Sequence, residues 1–268
     1  MVQDAFPGTV LNWIAAQSLD VAFVIIVLPV MVLAVVGTLV VRGIFGLMIS
    51  PGSTVGAAKA GAAAEVYAVV LGFIIVFGFS DFQDAKRNVL QEVSALERLK
   101  VQAEFLGAEA SAEIVEAVGK YANTVVTREW AMMSTGGRSK EAETKMTELS
   151  SVVMNSAGSA NTLSQFRLSE LLDDIVELRV SRLSASPDPL VAGLIFQVLF
   201  LGAGLAVVSG WFVRGPSPLV HVLLSAMLSG TVITVMILSA QLLYPFTGPV
   251  AISVEPFTEL ARLWEGQR

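Results

Sequence analysis

Cysteine is absent from all 268 residues, so disulfides, thiolate metal sites and thiol chemistry are excluded. Histidine occurs once, at His221, which removes imidazole metal clusters. Glu-x-x-His pairs of the kind that build di-iron bundles are missing too. No metal site and no cofactor is expected. Charge is also scarce: 15% of residues are charged, where a soluble domain carries roughly 25%. Net charge is −6, which argues against a nucleic-acid partner. The first twenty residues, MVQDAFPGTVLNWIAAQSLD, hold no Lys or Arg, so a basic secretory leader is not recognised there.

What fills the space is apolar. Hydrophobic residues make up 54% of the chain, and the mean hydropathy is +0.70. A bilayer core takes about 20 apolar residues of helix. Four stretches qualify: 21–41, 66–80 extended by the preceding GAAA, 189–213 and 217–243. Pro29 is expected to kink the first. The linker RGIFGLMISPGSTVGAAKAG joins spans one and two, and the tight RGPSP turn joins three and four. Residues 1–20, with Trp13, read as an interfacial segment too short to span. Gly202, Gly204, Ser209 and Gly210 suit close helix packing in span three.

Residues 81–187 differ from the rest, holding 12 of the 17 basic and 16 of the 23 acidic residues. Their apolar periodicity is helical. Val89, Val93, Leu96, Leu99, Ala103 and Leu106 mark one face. Ile114, Val118, Tyr121, Val125 and Trp130 mark a second helix, ended by Gly136-Gly137. A third ends near Gly158, and a fourth runs from Leu163 to Leu183. No strand pattern, internal repeat or low-complexity tract is evident.

The expected architecture is an all-α integral membrane protein: transmembrane hairpins at 21–80 and 188–245, flanking a helical bundle at 81–187, with a tail at 246–268. Four spans put both termini and the bundle on one side. Lys86, Arg87, Arg98, Arg179, Arg182 and Arg262 lie near the span ends on that side, against Arg42, Lys59 and Arg214 on the other. The bias places the bundle and termini in the cytoplasm of a multi-pass inner-membrane protein.

Several phrases, in order, resemble the bacterial bestrophin-like membrane family: EVSALERL at 92–99, Tyr121, REWAMM at 128–133, RVSRL at 179–183 and YPFTGPVAISVEPF at 244–257. The resemblance covers roughly residues 60–257. It implies kinship with bestrophins, which are homopentameric ion channels whose second span lines the pore around a hydrophobic neck. It therefore implies as partners the lipid bilayer, copies of the chain itself and a permeant inorganic ion. The acidic run that forms the bestrophin calcium clasp is not recognisable, so the resemblance does not extend to calcium gating.

On a helical wheel at about 100° per residue, span two carries Glu65, Ser80, Gln83 and Arg87 on one stripe, with Asp84 beside them. Val69, Gly72, Phe73 and Val76 share that stripe; Tyr67, Leu71, Ile75 and Phe82 face away. Polar ends around an apolar middle suit a pore wall with charged mouths and a dewetting neck. Val69, Phe73 and Val76 are then the neck, and Glu65, Ser80, Gln83, Asp84 and Arg87 the mouths. A helix that merely enters and leaves a membrane also has charged ends, so a non-conducting anchor for a partner-binding bundle is the alternative.

The remaining candidates read as structural. Tyr121, Glu129, Trp130, Arg179 and Arg182 are motif positions suited to packing or to an ion pair between the second and fourth bundle helices. Pro245, Phe246 and Gly248 end span four sharply. His221 reads as an interfacial neutral histidine. Glu170, Asp173, Asp174 and Glu177 read as a solvated face pairing with Arg167 or Arg179. No nucleophile–base constellation is recognisable, so no enzyme is expected.

Overall fold

The computed structural model describes residues 6–45, 54–158, 161–186, 188–213 and 217–265, and all regular structure among them is helical. In chain order, α1 is Phe6–Ala16, α2 Leu19–Ala22, a π turn Phe23–Val27 and α3 Leu28–Phe45. Next come α4 Thr54–Ala103, a 3₁₀ turn Glu104–Leu106 and α5 Ala108–Thr124. A second π turn, Val125–Glu129, leads to α6 Trp130–Met133. Then follow α7 Lys140–Ala157, α8 Thr162–Ser184, α9 Pro189–Trp211, α10 Pro218–Leu243 and α11 Glu255–Glu265. Four stretches are long and apolar enough to cross a membrane: Leu19–Phe45, Gly56–Leu106, Val191–Trp211 and Pro218–Leu243.

The helices form two units. The first takes residues 1–80, 188–243 and 248–250; the second takes 81–187, 244–247 and 251–268. In the first unit α3 and α10 pack side by side, and α1 lies on α9 and α10. Leu11, Ile14 and Ala15 of α1 are buried while Trp13 is exposed, so the N-terminal segment is an amphipathic helix. Gly248 adopts φ +84°, a backbone region that favours glycine, and a Cβ there would meet the Ala15 carbonyl.

Near Pro29 the first span widens into a π turn, in which the Leu28 N–H reaches back to the Phe23 carbonyl. Proline has no N–H to continue an α ladder, and a single π turn is one way a helix accommodates this. The buried residues Ala22 and Val27 are five apart across it, which is the spacing of π and not α geometry. The interhelix linker is shorter than its Gly/Ser content predicts. Helix α4 begins at Thr54, so the alanine-rich stretch before Glu65 is helical; residues 46–53 lie outside the described residues.

Helix α4 then continues without a break to Ala103. Gly107, at φ 106°, follows its closing 3₁₀ turn. In the second unit, Ser139 and Asn161 cap α7 and α8, accepting from the Ala142 and Ser164 N–H groups. Leu96, Leu99, Ile114, Val118, Leu149, Val153, Leu168 and Ile175 form the core.

Two departures from the sequence reading have physical causes. The second bundle helix is not one regular α-helix. Its buried row Ala117, Tyr121, Val125, Glu129, Met133 repeats every four residues, which in α geometry drifts about 40° per step. The π turn at 125–129 turns less per residue and offsets part of that drift. The C-terminal segment expected as a tail carries α11, with Phe257, Leu260, Ala261 and Trp264 buried on one face. It packs on α5 and joins the core of the second unit.

Candidate functional site: a buried ionic cluster and an exposed α4 stripe

Glu92 lies on α4 between Val89 and Leu96, on the face that enters the core, and it is fully buried. Arg182, in the last turn of α8, meets it there. Its Nε donates to Glu92 Oε2 at 2.7 Å and its Nη2 to Glu92 Oε1 at 3.2 Å. Nη2 also donates to Glu129 Oε2 at 3.0 Å, and Nη1 lies 3.0 Å from Met133 Sδ. Arg179, one turn earlier on α8, donates from Nη2 to Glu129 Oε1 at 2.6 Å. The Tyr121 hydroxyl donates to Glu92 Oε1 at 2.6 Å and lies 3.3 Å from Arg182 Nη2.

Two carboxylates and two guanidiniums thus neutralise one another away from water, with a phenol as a further donor. Burying single charges would be costly; mutual pairing and hydrogen bonding offset that cost. Burial pushes the Tyr121 phenol well above its ordinary value, and the Glu92 charge pushes it the same way. Burial alone would lower the pKa of Arg182, but Glu92, Tyr121 and Glu129 outweigh it and hold the guanidinium charged.

Aromatic rings close the cluster. The Arg182 guanidinium lies 5.3 Å from the Phe257 ring centre and 6.0 Å from that of Trp130. Trp130 meets Phe246 edge-on at 5.4 Å. Pro245 accepts a 2.7 Å hydrogen bond from the Ile252 N–H, and Thr247 Oγ1 donates to the Ser134 carbonyl. Motif residues dispersed from 92 to 257 therefore meet in one place. Glu92, Met133 and Phe257 are members not singled out individually from sequence. The signal for Glu92 was present: a carboxylate at a core position of the Val89, Val93, Leu96 stripe. Gly248 belongs to the first unit, at the turn described above, and is not part of the cluster.

The acidic face of α8 behaves differently from expectation. Arg179 turns to Glu129, not to that face, and none of the ion pairs among the described residues joins Glu170, Asp173, Asp174 or Glu177.

The α4 stripe is open. Val69, Phe73 and Val76 are 58%, 58% and 63% exposed, and Glu65, Ser80, Gln83, Asp84 and Arg87 are exposed with them. On the opposite side Tyr67 and Leu71 are buried, with Ile75 and Phe82 half-buried. The Tyr67 ring faces Gly202 of α9, where a Cβ would sit 3.0 Å from it. Asp84 and Arg87 pair at 3.0 Å, one turn apart, so at this end the two opposite charges largely cancel.

The Bestrophin-like domain family matches residues 27–257. Solved structures of a bacterial bestrophin homologue from Klebsiella pneumoniae are similar in fold. A point-mutant form superposes with a TM-score of 0.72 at 14% identity, covering 90% of this chain and 98% of that one. The form solved by Zn-SAD phasing gives 0.71 at 16% identity, covering 89% and 97%. A structure described as a membrane protein with one substitution gives 0.72 at 15% identity, covering 90% and 97%. No curated protein matches the sequence.

Proposed function

Because the chain belongs to the Bestrophin-like family, we propose that it assembles into a closed ring of copies, a pentamer by analogy, around an ion-conducting axis lined by α4. Bestrophins are oligomeric anion channels. Four spans are too few for one copy to enclose a wide aqueous path, so conduction requires ring closure. The observation that carries this reading is the open stripe of α4. Its apolar window is 11% buried, against 17, 33 and 39% for the other three spans. On that stripe Val69, Phe73 and Val76 form an apolar constriction, with Glu65 at one mouth and Ser80, Gln83, Asp84 and Arg87 at the other. The second unit and both chain ends face the cytoplasm of a bacterial inner membrane, as the basic residues near the span ends favour. The buried cluster holds the extension of α4 against α8.

A second reading, a membrane-anchored scaffold that does not conduct, draws on exposed apolar residues of the second unit: Phe105, Leu163 and Phe166 are 77%, 61% and 67% exposed. Planar-bilayer recordings from purified rings separate the two. The channel reading expects current, and expects Phe73→Ala to raise single-channel conductance by widening the neck. Silent rings of intact mass leave only the scaffold. A detergent-solution mass of one copy removes the axial pore.

A further inference from the structure

The hairpin-turn end of the first unit gathers hydrogen-bond donors without acceptors. Helix α3 finishes there with Arg42 in its last turn. Helix α9 ends beside it: Trp211 packs its ring so closely on Gly37 that no Cβ would fit. The next residue, Phe212, meets Phe45 with tilted rings, their centres 5.9 Å apart. The end of α9 therefore brackets the stretch of α3 that contains Arg42.

Helix α10 begins at the same level. It runs antiparallel to α3, with Gly230 against Met31 and, further along, Gln241 bonded to the Gln17 carbonyl. Stepping back nine residues from Gly230, and on nine from Met31, sets His221 level with Val40, within a turn of Arg42.

Trp211 Nε1 and His221 Nε2 are both buried atoms without a hydrogen-bond partner. An indole N–H only donates, and Nε2 can carry the imidazole proton. No ion pair among the described residues uses Arg42. No Asp or Glu occurs anywhere in residues 21–64 or 189–254. An orphaned N–H away from water is unfavourable, and here two of them lie at the helix ends that flank Arg42. The N-terminal dipole of the 26-residue α10 favours negative charge at the same end.

We propose that Arg42, Trp211 and His221 form a binding site for a phosphate-type oxyanion, presented by a lipid headgroup or free in solution. Aromatic rings at span ends mark the membrane–water interface, which is the depth of phospholipid phosphates. The site is separate from the α4 stripe and requires no ion conduction.

The test uses the full chain, purified and delipidated in detergent, with phosphatidylglycerol titrated in native mass spectrometry and inorganic phosphate in calorimetry; diacylglycerol serves as the phosphate-free control. Arg42→Gln should weaken binding at least about tenfold, as expected for losing a charge-assisted hydrogen bond. Arg42→Lys should retain most of it. Trp211→Phe keeps a ring against Gly37 and deletes only the N–H; it should weaken binding about threefold or more. Lipid adducts that depend on these residues identify a headgroup, and a phosphate heat that depends on them identifies the free oxyanion. Should Arg42→Gln fail to fold, Trp211→Phe and Arg42→Lys still decide. Binding of both probes that is indifferent to the substitutions, or diacylglycerol binding equal to phosphatidylglycerol, overturns the site.

Discussion

Arg182 and Trp211 both hold nitrogen atoms out of water, but only Arg182 has partners for them. In the second unit a guanidinium, two carboxylates and a phenol are brought together from α4, α5, the π turn and α8, and their bonds are mutual. The Arg182–Glu92, Arg182–Glu129 and Arg179–Glu129 ion pairs all belong to that unit. In the first unit Asn12, Tyr67, Trp211, His221 and Gln241 each bury a polar atom without a hydrogen-bond partner among the described residues; the second unit has two such atoms, Arg179 Nε and the Tyr244 hydroxyl. Within one chain, then, polar groups serve two purposes. In the second unit most of them close on one another and fix helix positions. In the first, more of the buried ones have no partner within the unit.

The largest expected break of this contrast is Arg182→Met, which fills similar volume but leaves Glu92 without a cation and Glu129 with Arg179 alone. Removing one partner of a buried ion pair costs about 3–5 kcal/mol, a large share of a typical stability of roughly 5–15 kcal/mol. Thermal unfolding followed by circular dichroism should show a large drop or no folded protein at all. A variant that melts like the parent would mean that the cluster does not hold the second unit together.

Tyrosine gives a matched pair. Tyr121→Phe removes a satisfied hydroxyl and should cost about 1 kcal/mol. It should also change the pH response. A phenol whose folded pKa is raised lends stability that is complete below the unfolded value, about 10, and is lost as pH rises through the higher folded value. The parent should therefore lose stability above about pH 10, and the Phe variant should lose less; equal alkaline slopes would refute the assignment. Tyr67→Phe makes the same chemical change at an orphaned hydroxyl in the first unit. It should leave stability unchanged or raise it by up to about 1 kcal/mol. The smallest effect belongs to Arg87→Gln. It breaks an exposed pair with side chains 64% and 55% accessible, so the melting curve should move by no more than about 0.5 kcal/mol.

The helices were legible because their signals are local. Uncharged runs mark spans, and a period near 3.6 marks the bundle. Even α11 carries such a signal in Phe257, Leu260, Ala261 and Trp264, but the break at YPFTGP reads as the end of folded structure. The cluster was half legible. Motif resemblance singled out Tyr121, Glu129, Arg179 and Arg182 without saying that they meet Glu92, since partners 90 residues apart in sequence are joined only by packing. The α4 stripe was read from the wheel alone. The structure adds that this face has no cover within one chain, a property no single-helix pattern contains.

The π turn at 125–129 has a consequence for chain length. It holds one residue more than a regular α turn would need, and that residue keeps Glu129 on the same face as Tyr121 and Val125. Most side chains within the turn could be exchanged for others of similar character without altering this. Deleting one residue could not: the segment would relax to α geometry and swing Glu129 and everything up to Met133 by about 100°. Both arginines of α8 would then face a helix with no carboxylate to offer, so this is a place where homologous chains can vary in letter but not in count.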